Sequence, residues 1–307
     1  MDVMINRQYI TDNVAMYCAD TTEAIKMFDD NSIGLIVYSP PFSSLYTYSN
    51  SDRDLGNSRT DEEFFEHFKF IVTEMYRILM PGRIMAVHCM QIPAMKERDG
   101  YIGIKDFRGD LIRLFQDSGF IFHSEVTIWK DPVVEMQRTK SLGLLHKQLK
   151  KDSSKSRMGI PDYIIFMRKP GENTEPIQHT NETYPVGEWQ KIASPVWDIY
   201  PSPVWWDINQ SDTLNRMFSD EESEKHIAPL QLPVIERIIN LYSNEEDIVF
   251  TPFMGIGSEV YQAMKMNRKG IGVELKEAYY EQAVKNIKNL EAEMQQVSLF
   301  DFLDSEE

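Results

Sequence analysis

Short apolar runs alternate along the chain with longer stretches in which apolar residues return every three or four positions. The run Ile33–Val37 holds no charged or polar side chain and reads as a strand buried on both faces. Similar runs predict strands over 14–18, 83–88 and 120–129, and the longer period predicts helices over 21–29, 61–79 and 108–118. Met80-Pro81-Gly82-Arg83 supplies the turn out of the second of these helices. Strand and helix in alternation imply the α/β class, a doubly wound and mostly parallel sheet with helices on both faces. Residues 131–170 break the rhythm and hold one short strand at 163–168. Residues 170–224, rich in Pro, Thr, Asn and Trp, read as packed surface loop with Trp197, Trp205 and Trp206 expected in the core. The alternation resumes with a helix over 229–242, a strand over 248–250, a helix over 258–266, a strand over 270–273 and a helix over 276–290. A long irregular insert therefore interrupts one α/β unit.

The strand beginning at Ile33 stops abruptly at Ser39-Pro40-Pro41-Phe42. Two prolines cannot extend a central strand, because they lack N–H donors and lock φ. The chain turns there, at the carboxyl end of a strand, where open α/β sheets place their ligands.

Composition narrows the picture. No stretch of eighteen apolar residues occurs, and the N-terminus lacks the basic-then-apolar pattern of a signal peptide. The two cysteines, Cys18 and Cys89, have no metal-ligand spacing, so a reduced, cytoplasmic protein without a metal is expected. A formal net charge of −16 argues against a general nucleic-acid binder. The charge is uneven, however. Residues 137–170 carry nine Lys and Arg against two acids, Asp152 and Asp162. One basic region on an acidic body suits contact with a polyanion on one side, and a solvated helix face is the plain alternative.

A second motif lies late in the chain. A strand leads into Gly255-Ile256-Gly257, then a helix, then a strand ending at Glu274. Glycines let a backbone approach a ligand, and the helix N-terminus favours negative charge. An acid at the end of the next strand is placed to hydrogen-bond a ribose. The unit reads as a nucleoside-cofactor site. Val260 stands where the NAD fingerprint wants a third glycine, which makes the match to NAD poor without excluding it.

Together, Ser39–Phe42 and Phe253–Gly257 resemble the catalytic and cofactor motifs of the DNA amino-methyltransferases, in the SPPF form. The catalytic motif comes first, the variable target-recognition region next and the cofactor motif last, which resembles the circularly permuted β class. The resemblance implies a Rossmann-like fold that uses S-adenosyl-L-methionine. It divides the chain into a catalytic half (1–130), a target-recognition insert (131–224), a cofactor-binding half of the same domain (225–290) and an acidic tail (291–307). It places Asp20, in a segment similar to the one that holds the cofactor adenine, in the cofactor site. His226 and Pro229, within Lys225–Gln231, resemble an additional cofactor-side motif, and Phe253, Gly255, Gly257, Ser258 and Glu274 complete the set. Thr251 stands where the family usually has Asp and keeps an oxygen without the charge. Arg138, Lys140, Lys147, Lys150, Lys151, Lys155 and Arg157 are the expected contacts to double-stranded DNA.

The chemistry fits these residue types. An exocyclic amino nitrogen is a poor nucleophile because its lone pair is delocalised into the ring. Acceptors that draw its hydrogens out of plane localise that pair, and the Ser39 hydroxyl and Pro40 carbonyl are two such acceptors. Phe42 is expected to stack on the flipped base, a contact of roughly 1–3 kcal/mol per base. Carbon-5 cytosine methylation needs a cysteine after proline, and neither cysteine follows one. In the family, Ser before Pro-Pro leans toward cytosine N4 and Asp toward adenine N6. An RNA or protein methyltransferase, and a non-catalytic DNA-binding regulator on the same scaffold, are the competing readings. Finally, Gln296-Val297-Ser298-Leu299-Phe300 resembles the short peptide by which bacterial proteins dock on the DNA sliding clamp. The competing reading folds Leu299, Phe300, Phe302 and Leu303 back onto their own domain. Monomer and homodimer are both left open.

Overall fold

The computed structural model describes residues 5–42, 55–58, 60–94, 96–139, 146–152, 154, 156–193, 201–217 and 228–304, leaving aside the side chains of 98, 137–139, 148, 149, 216, 217 and 297–304. Among these residues, one sheet is built from β1 (Ile5–Ile10), β2 (Val14–Ala19), β3 (Ile33–Tyr38), β4 (Leu79–Met90), β5 (Ile121–Ile128), β6 (Asp162–Arg168), β7 (Val204–Trp205), β8 (Ile248–Thr251) and β9 (Lys269–Glu274). Their spatial order is β1-β2-β9-β8-β3-β4-β6-β5-β7. The pairs β2/β9, β9/β8, β8/β3 and β3/β4 are parallel, whereas β6 runs antiparallel to β4 and β5. The late strands β8 and β9 thus sit between the early strands β2 and β3.

β3 shows why this strand is central. All six of its residues are buried. Ile36 and Tyr38 pack into the cluster formed by α2 (Asp61–Ile78) and α3 (Phe107–Asp117), while Leu35 and Val37 join α5 (Leu232–Tyr242) on the opposite face. α2 buries Phe64, Phe68, Ile71, Val72, Met75 and Ile78, a stripe at helical spacing. Each such side chain contributes roughly 1.5–3 kcal/mol. Thr60 starts the helix by accepting the Glu63 N–H at 3.2 Å. α6 (Ser258–Lys265) and α7 (Glu277–Asp304) cover β2 through Val260, Tyr261, Tyr279 and Ala283. Two further short helices are α1 (Thr21–Ala24), which follows β2, and α4 (Pro132–Thr139), which follows β5.

Several expectations are corrected. Met80–Arg83 does not separate a helix from a strand. It bulges within β4, whose pairing with β3 steps from Ile33–Leu79 to Leu35–Ile84. β1 has only Ile5 and Tyr9 half-buried and lies at the sheet edge, so it lacks the alternation of a core strand. The segment 170–224 holds a helix at Val186–Ile192, the edge strand β7 and a helix at Leu214–Met217. Trp205 is buried but Trp206 is 62 % exposed, and Trp197 lies outside the described residues. The last helix does not end at Leu290. It continues to Asp304, so the backbone of Gln296–Phe300 is helical rather than an extended tail, and the side chains from 297 onward lie outside the described residues. Among the described residues no helix is long and apolar enough to cross a membrane, and no group of His, Cys, Asp and Glu has the arrangement to hold a metal.

Candidate functional site

Four parallel strands end at one rim of the sheet, and their carboxyl ends deliver the motifs together. β2 leads into Asp20, β3 into Ser39, β8 into Pro252 and Phe253, and β9 ends at Glu274. Between them lies a cavity of about 1010 Å³. Asp20, Ser39, Pro40, Pro41, Phe42, Pro229, Phe253, Ser258 and Glu274 all line it. Its size is that of a large small-molecule site. His226 lies outside the described residues.

The glycine turn packs tightly on α7, where a side chain at Gly257 would meet the Ala283 Cβ at 3.1 Å. Gly255 (φ 56°) and Gly257 (φ 90°) both adopt left-handed backbone, which a side chain would strain. The Gly255 N–H donates to Glu274 Oε2 at 2.7 Å and the Lys276 N–H to Oε1 at 2.8 Å. Glu274 therefore locks the glycine turn onto the end of β9 as well as facing the cavity. Each carboxylate oxygen accepts more than one hydrogen bond, so a ribose hydroxyl is still accommodated. Asp20 caps α1, accepting from the Thr22 N–H at 2.9 Å and the Thr22 hydroxyl at 2.6 Å. The Thr21 hydroxyl donates to the Pro252 carbonyl at 2.6 Å and ties the Asp20 corner to the glycine turn. Thr251 is fully buried, does not line the cavity, and its hydroxyl oxygen has no hydrogen-bond partner among the described residues.

Glu259, at the start of α6, is a cavity residue that the motif reading missed. Burial pushes its carboxyl up to about 8, so it is protonated at neutral pH. Its signal in the sequence is slight, since an acid in a first helical turn is ordinary.

The Ser39 corner has a buried polar support. The Ser39 hydroxyl and His88 Nδ1 are 2.9 Å apart. His88 Nε2 lies 3.1 Å from Asp162 Oδ2, at an angle off the ideal hydrogen-bond line, and Lys130 Nζ lies 2.5 Å from Asp162 Oδ1. Burial alone would raise the Asp162 carboxyl; the Lys130 ammonium and the neighbouring His88 ring outweigh it and hold the group at about 2. The strand pairing explains the meeting. Tyr38 is opposite Val87, Met90 is opposite Asp162, and Asp162 is opposite Ile128, two residues before Lys130. None of these three residues was a sequence candidate, because they come from separate strand ends.

Phe42 is 3 % exposed, with its ring tilted on Phe107 and edge-on to His88. The ring is buried against these two side chains while still lining the cavity. The basic segment also splits. Lys147, Lys150 and Lys151 are exposed on and just after the short helix His146–Leu149. Arg157 is not a free cation: it lies 3.7 Å from buried Glu135 and donates to the Met158 carbonyl at 2.8 Å. Lys169 is buried and donates to the Leu79 carbonyl and the Asn31 side chain, both at 2.7 Å. The side chain of Arg138 and all of Lys140 and Lys155 lie outside the described residues.

The family model described as DNA methylase, of the N6 and N4 methyltransferases, matches residues 33–285. The type II methyltransferase M.HpaI of Haemophilus parainfluenzae is 24 % identical over 87 % of this chain and 72 % of its own length. M.HindIII of Haemophilus influenzae is 22 % identical over 89 % of this chain and 94 % of its own. Among solved structures, TTHA0409 of Thermus thermophilus, assigned as a DNA modification methylase and complexed with S-adenosyl-L-methionine, superposes with a TM-score of 0.65 at 22 % identity, covering 91 % of this chain and 94 % of that one. The cytosine-N4-specific PvuII DNA methyltransferase superposes with a TM-score of 0.63 at 18 % identity, covering 92 % and 90 %.

Proposed function

The chain belongs to the DNA methylase family, and on that premise we propose that it transfers a methyl group from S-adenosyl-L-methionine to the N4 nitrogen of a cytosine flipped out of double-stranded DNA. One observation carries this reading: Ser39, Pro40 and Pro41 line one cavity together with Glu274, whose carboxylate accepts the Gly255 N–H. An acceptor pair and a nucleoside-type site are what amino methylation needs within reach of each other. Ser39, where Asp is the alternative in this family, supports cytosine over adenine.

The residues present fit the cofactor. Left-handed glycines, a carboxylate at the end of β9 and a second carboxylate at the end of β2 form a cradle for a nucleoside with a positively charged sulfur. Asp20, Pro229, Phe253, Ser258 and Glu274, which line the cavity, would hold it, with Gly255 and Gly257 shaping the turn behind them. When bound, the cofactor supplies an electrophilic methyl group. The Ser39 oxygen and the Pro40 carbonyl accept the amino hydrogens and localise the nitrogen lone pair toward that methyl. Thr251 is buried and does not line the cavity, so it does not touch the ligand. Phe42 shapes the wall behind Ser39, and stacking on a base would require its ring to turn out of the Phe107 contact. Lys147, Lys150 and Lys151, in the proposed target-recognition insert, supply phosphate contacts.

The test is incubation of the protein with duplex DNA and labelled S-adenosyl-L-methionine, followed by digestion to nucleosides and mass spectrometry. N4-methylcytosine is expected. N6-methyladenine overturns the base assignment, and absence of any methylated nucleoside overturns the activity.

A further inference from the structure

We propose that His88, Asp162 and Lys130 are positioning residues that hold the Ser39 hydroxyl as a hydrogen-bond acceptor toward the cavity and receive its proton after transfer. The proposal rests on the methyltransferase reading of the Ser39 corner.

Three buried polar groups in a row at a core edge are costly unless they do something together. Lys130 is pinned to Asp162 with its side chain 11 % exposed, so it is not a phosphate contact. The carboxylate it pairs with faces His88 Nε2 at 3.1 Å. An unprotonated Nε2 would put a lone pair against that negative charge, so Nε2 carries the ring hydrogen. In the neutral ring His88 Nδ1 is then bare, and across the 2.9 Å contact the Ser39 O–H donates to it. The consequence is directional. With its hydrogen committed to His88, Ser39 turns oxygen lone pairs toward the cavity it lines. A freely rotating hydroxyl would instead donate to the amino nitrogen and tie up the lone pair needed for attack.

The same contacts dispose of a proton. Once the nitrogen has gained its methyl carbon, it carries one hydrogen more than the neutral product. That N–H bond breaks as an O–H bond forms at Ser39, while the original Ser39 O–H breaks and an N–H forms at His88 Nδ1. The imidazolium sits against the Asp162 carboxylate and returns the proton to water through Ser39 when the product leaves.

The test uses the intact protein labelled with ¹⁵N-histidine, with a His88→Gln spectrum to assign the resonance. Long-range ¹H–¹⁵N correlations are expected to show His88 protonated at Nε2 alone. In Asp162→Asn, Lys130 claims the amide oxygen and the amide NH₂ faces His88, which flips the ring hydrogen to Nδ1. Single-turnover methyl transfer in that variant is expected to fall ~10²–10⁴-fold, the range for a positioned acid–base group, with cofactor affinity held within twofold. A wild-type His88 protonated at Nδ1 overturns the proposal, even if the variant fails to fold. So does a flipped tautomer with an unchanged rate. A wild type with the expected tautomer and no transfer to DNA counts against the methyltransferase reading instead, and leaves Ser39 held as an acceptor.

Discussion

Replacing Glu274 by Gln tests the link between the glycine turn and the cofactor site. The carboxylate accepts two backbone N–H groups, from Gly255 at 2.7 Å and from Lys276 at 2.8 Å. Gln keeps the shape but has one acceptor oxygen, and its amide nitrogen cannot accept. One of the two N–H groups must then face a donor. Loss of a hydrogen bond to a charged group costs about 1.5–3 kcal/mol. If that cost falls on the turn that cradles the cofactor, affinity drops roughly 10- to 150-fold. The assay is calorimetric titration of S-adenosyl-L-methionine into wild type and Glu274→Gln, with thermal melts of both alongside. Glu274→Asp provides a graded control, since it keeps the charge but is one methylene too short to reach both donors. A dissociation constant within twofold of wild type in the Gln variant refutes the reasoning. A lower melting temperature with unchanged affinity refutes it equally, because the carboxylate would then only staple the turn.

Three further outcomes are expected. Glu259 is held neutral by burial up to about 8, whereas the unfolded chain ionises it in the ordinary carboxylate range. The wild type should therefore lose stability as pH rises across that window, and Glu259→Gln should melt higher than wild type by a gap that is small at low pH and widest near 8; parallel melts across pH check this, and a constant gap contradicts it. Changing Lys147, Lys150 and Lys151 to Ala should flatten the salt dependence of DNA binding by up to ~0.9 per lost contact at unchanged fold stability, whereas Arg157→Ala, which removes a charge beside buried Glu135, should lower stability with little change in the salt slope; filter binding over a salt series and urea unfolding separate the two. Phe42→Ala should lower stability by about 3 kcal/mol or more, as for a core phenylalanine, and a variant as stable as wild type would return Phe42 to the stacking role.

The elements that local chemistry dictates were readable in the chain. β3 announces itself as an apolar run ended by two prolines, and the strand–glycine–helix–strand unit around Gly255 is written in contiguous residues whose periods and turn types need no distant partner. The two motifs were each legible, and so was their common position at the carboxyl ends of strands. What depended on assembly was less so. Arg157 and Lys147 look alike as letters, yet one is buried beside Glu135 and the other faces solvent, because burial is set by what packs on top. Trp205 and Trp206 are adjacent, yet Trp205 is buried at the end of β7 and Trp206, just past the strand, is exposed. β1 carries no alternation because an edge strand has little to bury. The support beneath Ser39 was beyond any local reading. His88, Asp162 and Lys130 lie far apart in the chain and meet only where antiparallel β6 returns between β4 and β5, so the start of one strand is set beside the ends of its neighbours. Residue type and spacing determined which chemistry this chain offers; strand order decided which of those groups share a site.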